Sequence, residues 1–351
     1  MREGEFLEYI KEISINEAVI HILDVNSEEV ILNEYPLELN EEIYTFLTKH
    51  LQKCFNDEEL RYAVFNGERS IVKEVSREYL NGETNLMETS KELARQMFKL
   101  IKANGTIPSC DLIVVSLSTE FGALLGILKM DYVKNYTHKI DFVEDKIDIN
   151  IIPQLSGLPG SGQKIQKCAF IKPLRDENEY DLMVIDKINK AKEKEEYGTN
   201  YFINSYLGCN VINNERDLTK GLLNAAEKWT RDNLKEDAAK AESFRSTIKK
   251  KLKEEEIIAI EELSNDLFKD QFEAQKNFID YVSSQGVEGN VNVDKEWVEK
   301  KLKRVRLKID RDIDLYINEE TYDDSSRFEI VKNGDGSINM IIKHVMNYIE
   351  K

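Results

Sequence analysis

The glycine-rich run 157–164 has residue types that could bind phosphate. It reads Gly157-Leu158-Pro159-Gly160-Ser161-Gly162-Gln163-Lys164. In phosphate-binding loops, backbone N–H groups surround the phosphates and a lysine follows the last glycine. Here Gln163 takes the lysine position, and Lys164 takes the position of the magnesium-binding Ser or Thr. The apolar run that follows predicts a strand, not the helix whose N-terminus would face the anion. We interpret the run as a surface loop.

A second set of candidate residues is acidic. Asp141, Glu144, Asp145 and Lys146 offer the carboxylates and lysine with which a nuclease holds magnesium and orients water. Charged residues make up 33% of the chain, so a group of this kind is also expected by chance. A solvated turn is the alternative that we favour.

Histidines and cysteines are too scattered to form a site. The cysteines are tens of residues apart and lack a nearby histidine, whereas metal sites in short loops need close ligand pairs; they are Cys54, Cys110, Cys168 and Cys209. The histidines share no segment; they are His21, His50, His138 and His344. We therefore expect no cofactor, no metal ion and no enzymatic activity.

The strongest candidate for binding is a basic stripe between residues 295 and 308, which holds seven Lys or Arg against two acids, a net +5. If the stripe is a strand, Arg304, Arg306 and Lys308 project from one face about 6–7 Å apart, close to the phosphate spacing along one DNA strand. The alternative is a solvated outer strand whose cations prevent edge aggregation. The candidate DNA-binding residues here are Lys300, Lys301, Lys303, Arg304, Arg306 and Lys308.

A second basic cluster lies in a charged segment with helical character, beside Glu254, Glu255 and Glu256. A solvated helix face is the simpler interpretation, and phosphate contact is the alternative. The candidate residues are Arg245, Lys249, Lys250 and Lys253. No recognition helix can be identified, so sequence-specific DNA recognition has no support.

Net charge is −17 over 351 residues, which argues against broad, charge-driven coating of DNA. The first 50 residues hold twelve acids against three cations, a net −9. Such a region could act as a DNA mimic towards the chain itself or as a docking surface for a basic partner.

The N-terminus is acidic where a signal peptide would be basic, and no apolar run could span a bilayer, so we expect a cytoplasmic protein without membrane contact.

The elements that must position these residues change along the chain. The N-terminal half predicts a mixed, largely antiparallel sheet with helices on it: strands at 13–25, 30–32, 111–118, 121–130, 146–152, 165–171 and 182–185, and helices at 39–54 and from a Thr89 cap to Asn104. The middle is predominantly helical and the tail β-rich, with a hairpin at Asn333-Gly334-Asp335-Gly336. We predict an α+β fold with domains at 1–190, 191–300 and 301–351.

Several ordered segments together resemble the NdpA (YejK) family of bacterial nucleoid-associated proteins. They include LIVVSLSTEFGALLGILKM (112–130), YFINSYLGC (201–209), DLTKGLLNAA (217–226), NFIDYVSSQG (277–286), VDKEWVEKKLKRVRLKID (293–310) and NGDGSINMIIK (333–343). The resemblance covers most of the chain and implies nucleoid association and DNA binding without catalysis. The resemblance does not identify any site residue, so the candidate DNA-binding residues are inferred from charge alone.

The sequence therefore predicts a non-catalytic, nucleoid-associated protein that contacts DNA phosphates through its basic residues. Two alternatives stay open: an acidic protein-interaction module recruited to the nucleoid by a DNA-binding partner, and a nuclease-like component of phage defence. We favour a homodimer, because repeated weak phosphate contacts gain from bivalency.

Overall fold

The computed structural model describes residues 8–143, 145–158, 164–187, 201–269, 271–310, 312–347 and 349. These residues fall into two compact units, an N-terminal unit of residues 8–212 and a C-terminal unit that begins at Asn213. The division into three domains at 1–190, 191–300 and 301–351 stays a prediction. In the part of the chain that is described, no helix is long and apolar enough to cross a membrane.

The N-terminal unit is built on one antiparallel sheet. Its elements, in chain order, are β1 (Ile13–Leu23), α1 (Glu41–Phe55), β2 (Arg61–Phe65), α2 (Ile71–Leu80), α3 (Leu86–Ala103), β3 (Cys110–Thr119), β4 (Gly122–Asp131), β5 (Val133–Val143), β6 (Lys146–Ser156), β7 (Lys167–Ile171), β8 (Leu182–Asp186), a π-helix (Phe202–Leu207) and β9 (Cys209–Ile212). Seven strands form the sheet in the order β1-β3-β4-β7-β8-β2-β9. The predicted antiparallel pair at 111–118 and 121–130 is confirmed as β3 and β4.

The core of this unit lies between the sheet and the helices α2 and α3. Leu93, Met97 and Ile101 of α3 are fully buried, because their spacing places them on one helix face. They pack into the cluster that holds Leu112 and Val114 of β3. The helices therefore cover an apolar face of the sheet, as an α+β fold requires, and the predicted fold class is confirmed.

The start of α3 differs from the prediction. The helix begins at Leu86, and the side chain of Asn85 caps it by accepting a hydrogen bond from the Glu88 backbone N–H at 3.0 Å. Thr89, the predicted cap, is buried inside the first turns of the helix. Asparagine in an extended conformation is as good a cap as threonine, and it stands directly before the apolar residue that starts the buried face. The predicted end at Asn104 is confirmed.

The C-terminal unit contains helices and short two-stranded sheets. Its elements are α4 (Glu215–Asn233), α5 (Ala238–Glu254), β10 (Ile257–Ala259), α6 (Ile260–Phe268), α7 (Phe272–Ser284), β11 (Asn290–Asn292), α8 (Lys295–Leu302), β12 (Arg304–Ile309), β13 (Ile313–Asn318), α9 (Glu319–Tyr322), β14 (Phe328–Lys332) and β15 (Ile338–Ile342). The helical middle and the β-rich tail are thus as predicted. The hairpin β14–β15 turns at Gly334 and Gly336, whose φ angles of 86° and 92° favour glycine.

Four aromatic rings hold the helices of this unit together. Trp229 of α4, Phe244 of α5, Phe268 of α6 and Phe278 of α7 are all buried, and their ring centroids lie 5.1–5.8 Å apart. Phe268 and Phe278 lie on two separate helices, since α6 ends at Phe268 and the next residue, Lys269, has a φ of 45° that is incompatible with a continuing helix.

Candidate nucleic-acid interface

The strand β12 carries the cations that alternate in the sequence. It pairs along its whole length with β13, so that Arg306 lies opposite Tyr316 and Lys308 lies opposite Asp314. Arg304, Arg306 and Lys308 are exposed, whereas the intervening apolar side chains are half-buried. Because side chains alternate across a strand, the three cations share one face of this two-stranded ribbon. We call this face, together with Lys303 at its start, the cationic ribbon.

The predicted stripe 300–308 is divided between two elements. Lys300 and Lys301 lie on α8, and Lys303 is the residue at which that helix ends. Lys300 forms an ion pair with Glu296 one turn earlier, at 2.6 Å. The Lys301 ammonium lies 5.9 Å from the ring centroid of Trp297. These two lysines therefore belong to the helix surface and not to the strand face.

Within the cationic ribbon, the cations differ in their neighbours. Arg306 lies 3.6 Å from a carboxylate oxygen of Asp314, and its guanidinium lies 5.1 Å from the centroid of the exposed Tyr316 ring. Lys303, Arg304 and Lys308 have no carboxylate within ion-pair distance among the described residues. A polyanion could therefore contact these three side chains without first displacing an ion pair.

The second basic cluster, on α5, is largely neutralised. Arg245 donates two hydrogen bonds to Glu227 of α4, at 2.7 and 3.1 Å. Burial would raise the pKa of Glu227, but the hydrogen bonds and charges of Arg245 and Arg231 hold it below its ordinary value. Lys253 contacts the carboxylates of Glu319 and Asp323. These cations stabilise the packing of α5 and are poorly available to phosphate.

The remaining α5 lysines line a small pocket of about 240 Å³ beside β12. Burial lowers the pKa of Lys249, whose ammonium lies 5.2 Å from the centroid of the Tyr322 ring. Lys250 lies 3.9 Å from Glu254. The structure thus brings the two predicted clusters together, since this pocket is also lined by Leu302 and Val305. Its four carboxylates outnumber its three lysines, so the pocket itself is a poor anion site; they belong to Glu242, Glu254, Glu319 and Asp323.

The other sequence motifs do not form a site. Asp141 pairs with Lys139 at 3.0 Å, and Asp145 lies in the turn between β5 and β6 with a φ of 58°. Of the phosphate-loop lookalike, residues 159–163 lie outside the described residues, as does Glu144. No group of three or more His, Cys, Asp or Glu side chains suited to a metal ion occurs in the described ranges. The absence of catalysis stays a prediction.

Two of the four histidines, His21 and His50, and all four cysteines are buried. His21 is buried, accepts a hydrogen bond from the Asn33 backbone N–H at 3.0 Å and lies 2.9 Å from the Ser90 hydroxyl. Burial, with the nearby charges of Lys91 and Arg95, lowers the pKa of His21 to about 4, so the ring is neutral at physiological pH. All four cysteines are buried and free. Burial raises the pKa of Cys110 to about 12, which leaves it an inert thiol.

A buried charged cluster in the N-terminal sheet was not predicted. Lys129 of β4 and Lys167 of β7 lie directly opposite each other, and both are buried. Lys129 contacts Asp131, and Lys167 contacts Asp186. The signal was present in the sequence, since a lysine within an apolar strand needs a buried partner. Each ammonium has a carboxylate, so this cluster is structural.

A family model described as nucleoid-associated protein YejK matches residues 19–350. Among curated proteins, none matches the chain.

Proposed function

The chain belongs to the YejK family of nucleoid-associated proteins, and from this premise we propose that it contacts the phosphate backbone of duplex DNA through the cationic ribbon. One observation carries the proposal: Lys303, Arg304 and Lys308 are exposed and lack carboxylate partners among the described residues. Free cations contribute most to DNA affinity, because each phosphate they neutralise releases condensed counterions.

The geometry of a strand suits phosphates better than bases. Side chains two residues apart on one face are separated by about 6–7 Å, so the ribbon can contact successive phosphates of one strand. Arg306, held beside Tyr316, can add a fourth contact if it exchanges its exposed ion pair with Asp314 for a phosphate. Such an exchange costs little, because exposed ion pairs contribute about 0–1 kcal/mol. We propose binding without base readout, since phosphate contacts carry no sequence information.

Reversing two of the free cations tests the proposal. In the variant Arg304→Glu/Lys308→Glu, two attractive contacts become repulsive, and we expect duplex affinity to fall about 10- to 100-fold at about 50 mM salt. Fluorescence anisotropy with labelled duplexes of unrelated sequence measures the change. The loss should be the same for every sequence.

A matched control reverses two exposed lysines elsewhere in the same unit. Lys228 of α4 and Lys276 of α7 are exposed and outside the ribbon, so Lys228→Glu/Lys276→Glu changes net charge equally. This control variant should lower duplex affinity less than about threefold, because it changes only the overall electrostatic field of the protein. Equal losses in the two variants, at unchanged melting temperatures, would show that the ribbon is not the DNA surface.

A second candidate function rests on the acidic surface of the N-terminal unit. Six exposed glutamates have no ion-pair partner among the described residues; they are Glu28, Glu29, Glu34, Glu38, Glu41 and Glu42. The exposed side chains of Ile31 and Tyr35 lie among them in sequence. Such a surface suits a basic protein partner that would recruit the chain to the nucleoid. Wild-type protein that fails to bind DNA at about 50 mM salt would favour this candidate.

A further inference from the structure

The hairpin formed by β5 and β6 is paired only with itself among the described strands. Its two strands run antiparallel over eleven residue pairs, from Val133 opposite Ser156 to Val143 opposite Lys146. A two-stranded hairpin is marginally stable on its own, because it has no second layer to bury its side chains. This hairpin therefore needs a partner surface.

The register separates the hairpin side chains into two unlike faces. One face is mainly polar: it includes Asn135, Gln154, Lys139, Asn150, Asp141 and Asp148, beside the three apolar residues Val133, Val143 and Ile152. The other is almost entirely apolar and includes Tyr136, Pro153, Ile151, Ile140, Ile149, Phe142 and Ile147. Only Lys134, near the base, and His138 interrupt this second face. We call it the apolar hairpin face.

The apolar hairpin face is exposed along its length. Ile151 is 78% exposed, Phe142 76%, Tyr136 66%, Ile147 and Ile149 64%, and Ile140 51%. These fractions correspond to about four fully exposed large side chains, or roughly 800 Å² at about 200 Å² each. The largest apolar patch of an ordinary monomer covers about 300–600 Å², so a patch of this size indicates an interface.

We propose that the apolar hairpin face packs against the same face of a second copy of the chain. The area agrees with what a stable dimer needs, since each partner in a standard interface buries about 800 Å². Two such faces can stack as sheets about 10 Å apart with their apolar side chains interdigitated. A two-fold arrangement places the same patch on both sides, which is the commonest form of association between identical chains.

The charges on the hairpin favour a second copy over other partners. The apolar hairpin face carries no carboxylate, and a self-association buries no acid from a chain whose net charge is −17. DNA is a poor occupant of the apolar hairpin face, because most of its side chains are apolar and its one lysine, Lys134, lies near the base of the hairpin. The dimer does not depend on the proposed DNA contact, although it would supply two cationic ribbons per particle.

Analytical ultracentrifugation of the full chain tests the dimer. At about 10 μM, the wild-type protein should sediment with the mass of two chains. In Ile149→Asp/Ile151→Asp, two carboxylates enter the centre of the apolar hairpin face. We expect the dimer dissociation constant to rise at least about 100-fold, because two central apolar contacts are lost and two charges are desolvated.

The control places the same charges on the opposite face of the same strand. Asn150→Asp/Gln154→Asp should leave the dimer intact. A second variant, Ile149→Thr/Ile151→Thr, keeps the branched shape that suits a strand and should also weaken the dimer. Circular dichroism and the melting temperature check that each variant is folded. A wild-type monomer at about 100 μM would overturn the proposal, as would equal effects of folded variants on the two faces.

Discussion

Replacing Lys167 with Met is expected to lower the free energy of unfolding of the N-terminal unit by about 3–5 kcal/mol. The ammonium of Lys167 and the carboxylate of Asp186 face each other on neighbouring strands, and the Asp186 side chain is only 1% exposed. Methionine matches the length of lysine but leaves Asp186 charged, buried and without its cation. Among the described residues, that carboxylate retains a 3.3 Å hydrogen bond from the Ile203 backbone N–H, which does not compensate for its desolvation.

Urea unfolding measures this loss, and a double variant separates the lost ion pair from lost packing. In Lys167→Met/Asp186→Leu both charges are removed, so most of the stability should return. Lys139→Met is the exposed control, since its pair with Asp141 is solvated; it should cost less than about 1 kcal/mol. A loss below about 1 kcal/mol for Lys167→Met would mean that the Asp186 carboxylate is readily hydrated in the folded protein.

Replacing Phe278 with Ala is expected to destabilise the C-terminal unit by about 3–5 kcal/mol. The ring is fully buried and lies 5.6–5.7 Å from the rings of Trp229, Phe244 and Phe268. Four helices meet at these rings, so the neighbours cannot collapse fully into the space left by the truncation. Tryptophan fluorescence during urea unfolding follows the change, because Trp229 is part of the cluster.

Phe272 supplies the matched control, since it lies on the same helix α7 and is 76% exposed. Phe272→Ala should change stability by less than about 0.5 kcal/mol. Similar losses for the two variants would contradict the account of a single aromatic core. The comparison uses the same chemical change in the same helix.

Much of the fold was predictable where apolar residues follow a clear period. β3 contains the apolar run 112–115 and β4 the apolar run 123–128, and α4 shows Leu218, Leu222, Ala225 and Trp229 on one face. β5 is not predictable from the sequence, because Lys134 and His138 interrupt its apolar alternation. Neither is β2, whose five residues are too few for a periodic signal. Such segments become strands because they pair with other strands, and not because of a local sequence pattern.

The position of the candidate DNA-binding residues was predictable from the sequence. Which of these cations lack carboxylate partners was not. The cations of β12 alternate with apolar residues, so their common face follows from the period of a strand. The carboxylates that neutralise α5 are distant in sequence, since Glu227 lies 18 residues from Arg245 and Asp323 lies 70 from Lys253. Only the folded chain brings these charges together. The fold therefore shows which cations are neutralised by carboxylates, as on α5, and which stay free, as on the cationic ribbon.

The salt dependence of duplex binding shows whether the cationic ribbon contacts DNA phosphates. If the ribbon neutralises about four phosphates, the logarithm of the association constant should fall against the logarithm of salt concentration with a slope of about −3.6 per ribbon. In Arg304→Glu/Lys308→Glu the slope should become shallower by about two, because two contacts are lost. The slope should stay unchanged in the control variant Lys228→Glu/Lys276→Glu, because its substitutions lie outside the cationic ribbon. An unchanged slope in the ribbon variant would contradict direct phosphate contact through the cationic ribbon.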